Sequence, residues 1–142
     1  DIAMPKRIAY SINVLLNKNA SIAQGMLIQF RELDLLQSNL LHSVVNDKPF
    51  HILGLGVLAV KKEVFKKTGL FNSDFKVGSD LEWLGRAIKM GFMPFKFEKA
   101  CIKRRVHQSN LSNLNKQDEL KIRFEILRKN LSINDMSRKK IL

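Results

Sequence analysis

The chain has a single cysteine, one tryptophan, one tyrosine and three prolines in 142 residues. One cysteine, Cys101, excludes an internal disulfide and any zinc site of Cys/His type, and it fits a reducing compartment. Acidic residues are also scarce, with 13 Asp and Glu against 25 Lys and Arg, for a net charge of +12. No apolar run is long enough to span a bilayer: the longest, residues 52–60, covers less than half the required length. No basic region followed by an apolar stretch opens the sequence, so it carries no secretory signal pattern. No P-loop is present, and "GLG" at Gly54 to Gly56 lacks the third glycine and following helix of a dinucleotide fingerprint.

The composition present is that of a globular domain, 45% hydrophobic and 27% charged. The length suffices for one core. The chain begins at Asp1 rather than Met, which suggests a piece of a longer protein. The positive charge is concentrated late, with twelve basic and four acidic residues from Lys99 onward against thirteen and nine before it. A basic C-terminal third suits an anionic partner: nucleic acid, an acidic membrane face or a phosphate-bearing substrate.

Pro5 suits a first helical turn, and Ile8, Ile12, Leu15 and Leu16 share one face, so 5–16 reads as an amphipathic helix. Residues 22–30 read as a strand and 33–45 as a helix. Residues 55–60 read as a buried strand, 61–68 as a short helix stopped by Gly69, and 79–90 as a helix stopped by Gly91. Two short strand-like pieces fall within 92–107, around Glu98 and Lys99. A polar loop follows, then a last helix over 116–130 with Leu120, Phe124, Leu127 and Leu131 on one face. Strands alternating with helices predict an α/β architecture, a mixed sheet with flanking helices. Two units are expected: residues 1–115, and the basic amphipathic helix and tail of 116–142.

At the third helix, "SDLE" has the form of a capping box, with Ser79 capping and Glu82 closing it, and Asp80 sits well against the positive end of the dipole. Asp80 has a second reading, as a reactive carboxylate at a pocket edge. Trp83 is read either as lining that pocket or as core, and Leu84, Ala87 and Ile88 on its helix favour core. His42 and His51 have no evident partners.

Three segments occur in a telling order: "GVLAVKKEVFKKTGLF", "GSDLEWLGRAIKMG" and "KRRVHQSNLS". Together they resemble the C-terminal half of family-2 inverting glycosyltransferases of the GT-A fold. The matching residues are Gly54, Lys61, Lys62, Phe65, Gly69, Phe71, Asp80, Glu82, Trp83, Arg86, Ala87, Gly91, Arg104, Arg105, His107, Asn110 and Ser112. The chain departs from the pattern at Ser79, where many relatives carry Glu. "DIAMPKRIAYSINVLLNKNA" is similar to the stretch following the family's metal-binding Asp-x-Asp motif, with Asp1 as its last acid or beside it.

The resemblance implies a partial GT-A domain whose nucleotide-binding half precedes Asp1. It places the catalytic base at Asp80. Gly54, Glu82, Trp83, Arg104 and Arg105 would line the substrate site, and Asp1 and His107 would serve a Mg²⁺ or Mn²⁺ ion. In a strand Arg104 and Arg105 point to opposite faces, so at most one faces the site. The implied partners are a nucleotide-sugar donor and a glycan, lipid-linked or protein acceptor. The implied location is cytoplasmic, with peripheral contact to the inner membrane face through the basic C-terminal helix. The rival reading is a small basic nucleic-acid-binding module. Few aromatics near the tail and no nucleic-acid motif weigh against it, and its binding would weaken steeply with salt.

Overall fold

A computed structural model describes residues 1–30, 46–52, 54–75 and 78–107. The expected helices at 33–45 and 116–130, the polar loop after His107, and with them Asn110, Ser112 and the unit 116–142, lie outside the described residues.

The described chain is mixed α/β, with four strands and three α-helices in the order β1 (Ile2–Ala3), α1 (Arg7–Asn17), β2 (Ile22–Phe30), β3 (Leu58–Val60), α2 (Lys62–Thr68), α3 (Ser79–Lys89) and β4 (Pro94–Arg105). The sheet order is β1-β4-β2-β3. β2 and β4 run parallel at its centre, and β1 and β3 flank them antiparallel. The parallel register runs from Ile22 opposite Pro94 to Phe30 opposite Arg105, so both central strands end together. Register shifts around Met26 mark where β4 accommodates extra residues.

Each sheet face carries its own core. On one, Ile22 and Leu58 pack with Val64 of α2 and Trp83, Leu84 and Ala87 of α3. On the other, Ala23 packs with Val14 of α1 and Ala20, and Phe97 closes against them. This follows from the alternation of side chains along β2, which sends Ile22 and Ala23 to opposite faces. β2 is buried along its first half because both faces are covered.

Two expectations are corrected. The run 55–60 is not one strand: Leu55–Val57 forms a turn of 3₁₀ helix before β3 begins. An apolar run alone does not distinguish the two, and Gly56 here approaches β4, where a Cβ would lie 3.2 Å from Ile102 Cδ1. The stretch around Glu98 and Lys99 is one continuous twelve-residue strand rather than two pieces, because the long parallel pairing with β2 carries it through the charged residues. Helix α1 forms where its periodicity indicates, with Val14 and Leu15 against the sheet and the rest of its aliphatic residues outward. Ser11 and Val14 are buried, while Ile8, Ile12 and Leu16 are exposed.

Candidate active site

Helix α3 does not begin with a capping box. Gly78 occupies the N-cap position in the left-handed region, with φ of 80°, and no side chain caps the helix. Ser79 is therefore the first helical residue. Glu82 is engaged elsewhere: both its oxygens accept from Arg86, at 2.7 Å from Nε and 3.0 Å from Nη2. The i,i+4 spacing lets a bidentate ion pair outcompete the cap.

Arg86 also donates to the carbonyl oxygens of Thr68 and Leu70, and the indole N–H of Trp83 donates to that of Gly69 at 2.9 Å. The segment leaving α2 is thus tied to α3 at three successive carbonyls. Gly69 has φ of 79°, a left-handed conformation that suits glycine. Trp83 is fully buried, at 0% exposure. It stacks on Phe65 with centroids 4.5 Å apart and meets Phe71 at 5.7 Å. Trp83 and Glu82, expected to line a substrate site, are therefore placed as packing and tethering residues.

These tethers fix the start of α3. Asp80 lies in the first turn, half-buried, and its Oδ1 accepts the backbone N–H of Leu81 at 2.9 Å. The helix dipole favours a carboxylate there. The other oxygen faces the turn before β3: a Cβ built on Gly54 would stand 3.9 Å from Asp80 Oδ2. Two residues separated in sequence by α2 and its following loop are thus neighbours, and the absence of a side chain at Gly54 keeps the carboxylate approachable.

The remaining candidates gather at the C-terminal ends of the parallel strands. Asp1 Oδ1 accepts the backbone N–H of Arg105 at 2.9 Å, which fixes Asp1 beside the end of β4. The regular register of Ile102 to Arg105 against Leu27 to Phe30 sorts the arginines. Ile102 is in reach of Gly56, so alternation puts Arg104 on the same face as the Gly54–Asp80 pair. Arg105 goes to the α1 face, its guanidinium 5.9 Å from the centre of the Phe30 ring. His107 follows two residues after β4.

Among the described residues no three His, Cys, Asp or Glu side chains are grouped to hold a metal ion. Asp1 and His107 offer one carboxylate and one imidazole, and Asp1 already spends an oxygen on Arg105. That donor set falls short of the carboxylates and phosphates on which Mg²⁺ relies. No helix among the described residues is long and apolar enough to cross a membrane.

Sequence reasoning missed the supporting roles of Phe65, Phe71 and Arg86. Their signal was present: all three belong to the ordered motif residues, and Arg86 stands four residues after Glu82. No protein-family model matches the chain, and no curated protein matches it.

Proposed function

We propose that this chain is the acceptor-binding and catalytic-base half of an inverting glycosyltransferase, built on a partial GT-A fold and acting on a nucleotide-sugar donor. The observation that carries the reading is the meeting of Asp80 with Gly54. The motif order relates these residues only in sequence, and in the fold they adjoin. The carboxylate is held at one oxygen by the Leu81 N–H and lies beside Gly54 at the other, on a helix start clamped by Trp83 and Arg86.

Asp80 in this reading accepts the proton of an acceptor hydroxyl as that oxygen attacks the anomeric carbon of the donor sugar. The new C–O bond forms as the bond to the diphosphate breaks, the nucleoside diphosphate leaves with the electron pair, and the anomeric configuration inverts. In this reading Arg104 would pair with phosphate oxygens through its forked donors. A divalent cation belongs to the same reading, as Mg²⁺ or Mn²⁺ neutralising the leaving diphosphate. The described residues do not make a site for it, and no step is assigned to it here. The acceptor class is a glycan, lipid-linked or protein hydroxyl, and the compartment is the cytoplasm.

The test is Asp80→Asn in the full-length enzyme that the resemblance implies. The substitution keeps shape and hydrogen bonding and removes the base. Turnover should fall by about 10²–10⁴-fold while donor binding by calorimetry stays within a few-fold. Near-normal sugar transfer by the Asn variant would sink the assignment.

A further inference from the structure

The outer face of α1 carries Ile8, Ile12 and Leu16 at 65%, 49% and 71% exposure, one above another at i, i+4 and i+8. The stripe runs for about 12 Å along the helix. Ile2 on β1 is also exposed. The helix packs Ser11, Val14 and Leu15 toward the sheet and leaves a second apolar stripe facing solvent. An apolar surface of this kind marks an interaction site.

The charge around the stripe identifies what it meets. Residues 2–30 contain no Asp or Glu. Lys6 before the helix and Lys18 after it are exposed. Lys99 and Lys103 of β4 are exposed as well, and in the regular register after Ile102, which faces Gly56, alternation puts Lys103 on the α1 face. Lys99 Nζ lies 6.0 Å from the centre of the Tyr10 ring on α1. Asp1 is held at the strand end by the Arg105 N–H. Among the described residues the stripe is therefore flanked by lysines at both ends and along the β4 side.

We propose that this face of α1 docks onto an anionic lipid bilayer, with Ile8, Ile12 and Leu16 entering the headgroup–acyl boundary and the lysines pairing with lipid phosphates. An apolar helix face with a basic border is the arrangement that lies in the plane of a membrane. It sinks only about 5–10 Å, which the height of these side chains matches. Lysines extend their stems over the apolar zone and keep their ammonium groups in the headgroup layer. A second copy of this chain is a poor occupant, because an antiparallel pairing of the stripes would set Lys6 and Arg7 against Lys18. Nucleic acid would use the lysines but not the aliphatic stripe. The inference stands independently of the glycosyltransferase reading, and it uses a surface other than the C-terminal helix.

The experiment uses the whole 142-residue chain. Cys101 is buried, so a single introduced thiol takes an environment-sensitive fluorophore: Leu16→Cys on the stripe, and Met90→Cys on the opposite sheet face as control. Vesicles of phosphatidylcholine alone are compared with vesicles also containing phosphatidylglycerol. The label at 16 should shift to the blue on the anionic vesicles only, and the label at 90 should not move. The pair Ile8→Ser and Leu16→Ser should lower vesicle partitioning by about tenfold or more. The pair Lys6→Glu and Lys18→Glu should lower it by about 25-fold, at roughly fivefold per lysine lost. A shift at both positions, at 90 alone or at neither overturns the proposal. A concentration-dependent shift at 16 without vesicles overturns it in favour of a second copy, and one produced by RNA alone in favour of nucleic acid.

Discussion

Gly25 sits on β2 beside the irregular register with β4. A Cβ at this position would stand 2.3 Å from Cys101 Sγ, 3.1 Å from the Lys99 carbonyl oxygen and 3.1 Å from Phe97 Cζ. Ordinary contact between such atoms is roughly 3.5–4.0 Å. Gly25→Ala therefore asks the thiol to retreat by more than about 1 Å. Cys101 has little room to do so, being buried between β4 and α1 at 1% exposure. Backbone oxygen on the neighbouring strand cannot move without disturbing the ladder. Overpacking of this kind costs about 1–3 kcal/mol, and the threefold contact places Gly25→Ala at or above the upper end. Cys101→Ala alone should cost only about 1 kcal/mol, the loss of one small buried group. The double variant removes the worst overlap, so its destabilisation should fall short of the sum by at least about 1 kcal/mol. Urea unfolding followed by fluorescence measures all four proteins, because Trp83 is the only tryptophan and is fully buried. A Gly25→Ala protein within about 0.5 kcal/mol of the parent, or strict additivity in the double variant, would refute the close approach.

Cys101 also sets an alkaline limit. Burial raises its thiol above the ordinary value of 9.0, while nearby Arg7 and a hydrogen bond with Ser11 pull it back in part. The folded chain thus holds the proton to a higher pH than the unfolded chain, so this stabilisation is intact below the ordinary value and lost as pH rises through the folded one. The stability of the parent relative to Cys101→Ala should shrink in urea titrations above pH 9.0, and a constant difference would refute it. Arg86→Ala should destabilise by about 2 kcal/mol in thermal melts, since it frees two carbonyls and the Glu82 carboxylate together. Arg86→Lys should not restore the loss, because one ammonium cannot reproduce the fork; full rescue by lysine would show that charge alone matters there.

The helices were legible where local signals decide. Gly69 and Gly91 stop α2 and α3 near the positions their sequence implies. The direction of α1 was not legible. Periodicity locates a stripe but says nothing of which side a sheet covers, and Ser11 gave no sign that it would be buried. The capping box failed for a related reason: Ser-x-x-Glu is a local pattern, whereas Gly78 and Arg86 decided the outcome through backbone handedness and an ion pair. Gly25 did leave a trace, since a glycine inside a strand often marks close approach of another backbone. The partner it approaches depends on the pairing of β2 with β4, which no local pattern encodes. At the candidate site the identity of Asp80 was readable, but its proximity to Gly54 was not, because it depends on how the start of α3 is placed in the tertiary fold.

The position of β4 in the sheet also governs when the protein can assemble. β4 is the last of the described elements to leave the ribosome, yet it lies between β1 and β2, which are made before it. The early strands cannot pair with each other across the gap it will fill. Among the described residues, β2 has only the short β3 and the segment around Phe50 to bond with until Pro94–Arg105 is synthesised. Its buried apolar residues wait exposed for a distant partner, and closure is slow because the contact is remote in sequence. A pause in translation before β4, or truncation within it, would leave a chain with an open central seam, the condition in which strand edges recruit other chains and aggregate.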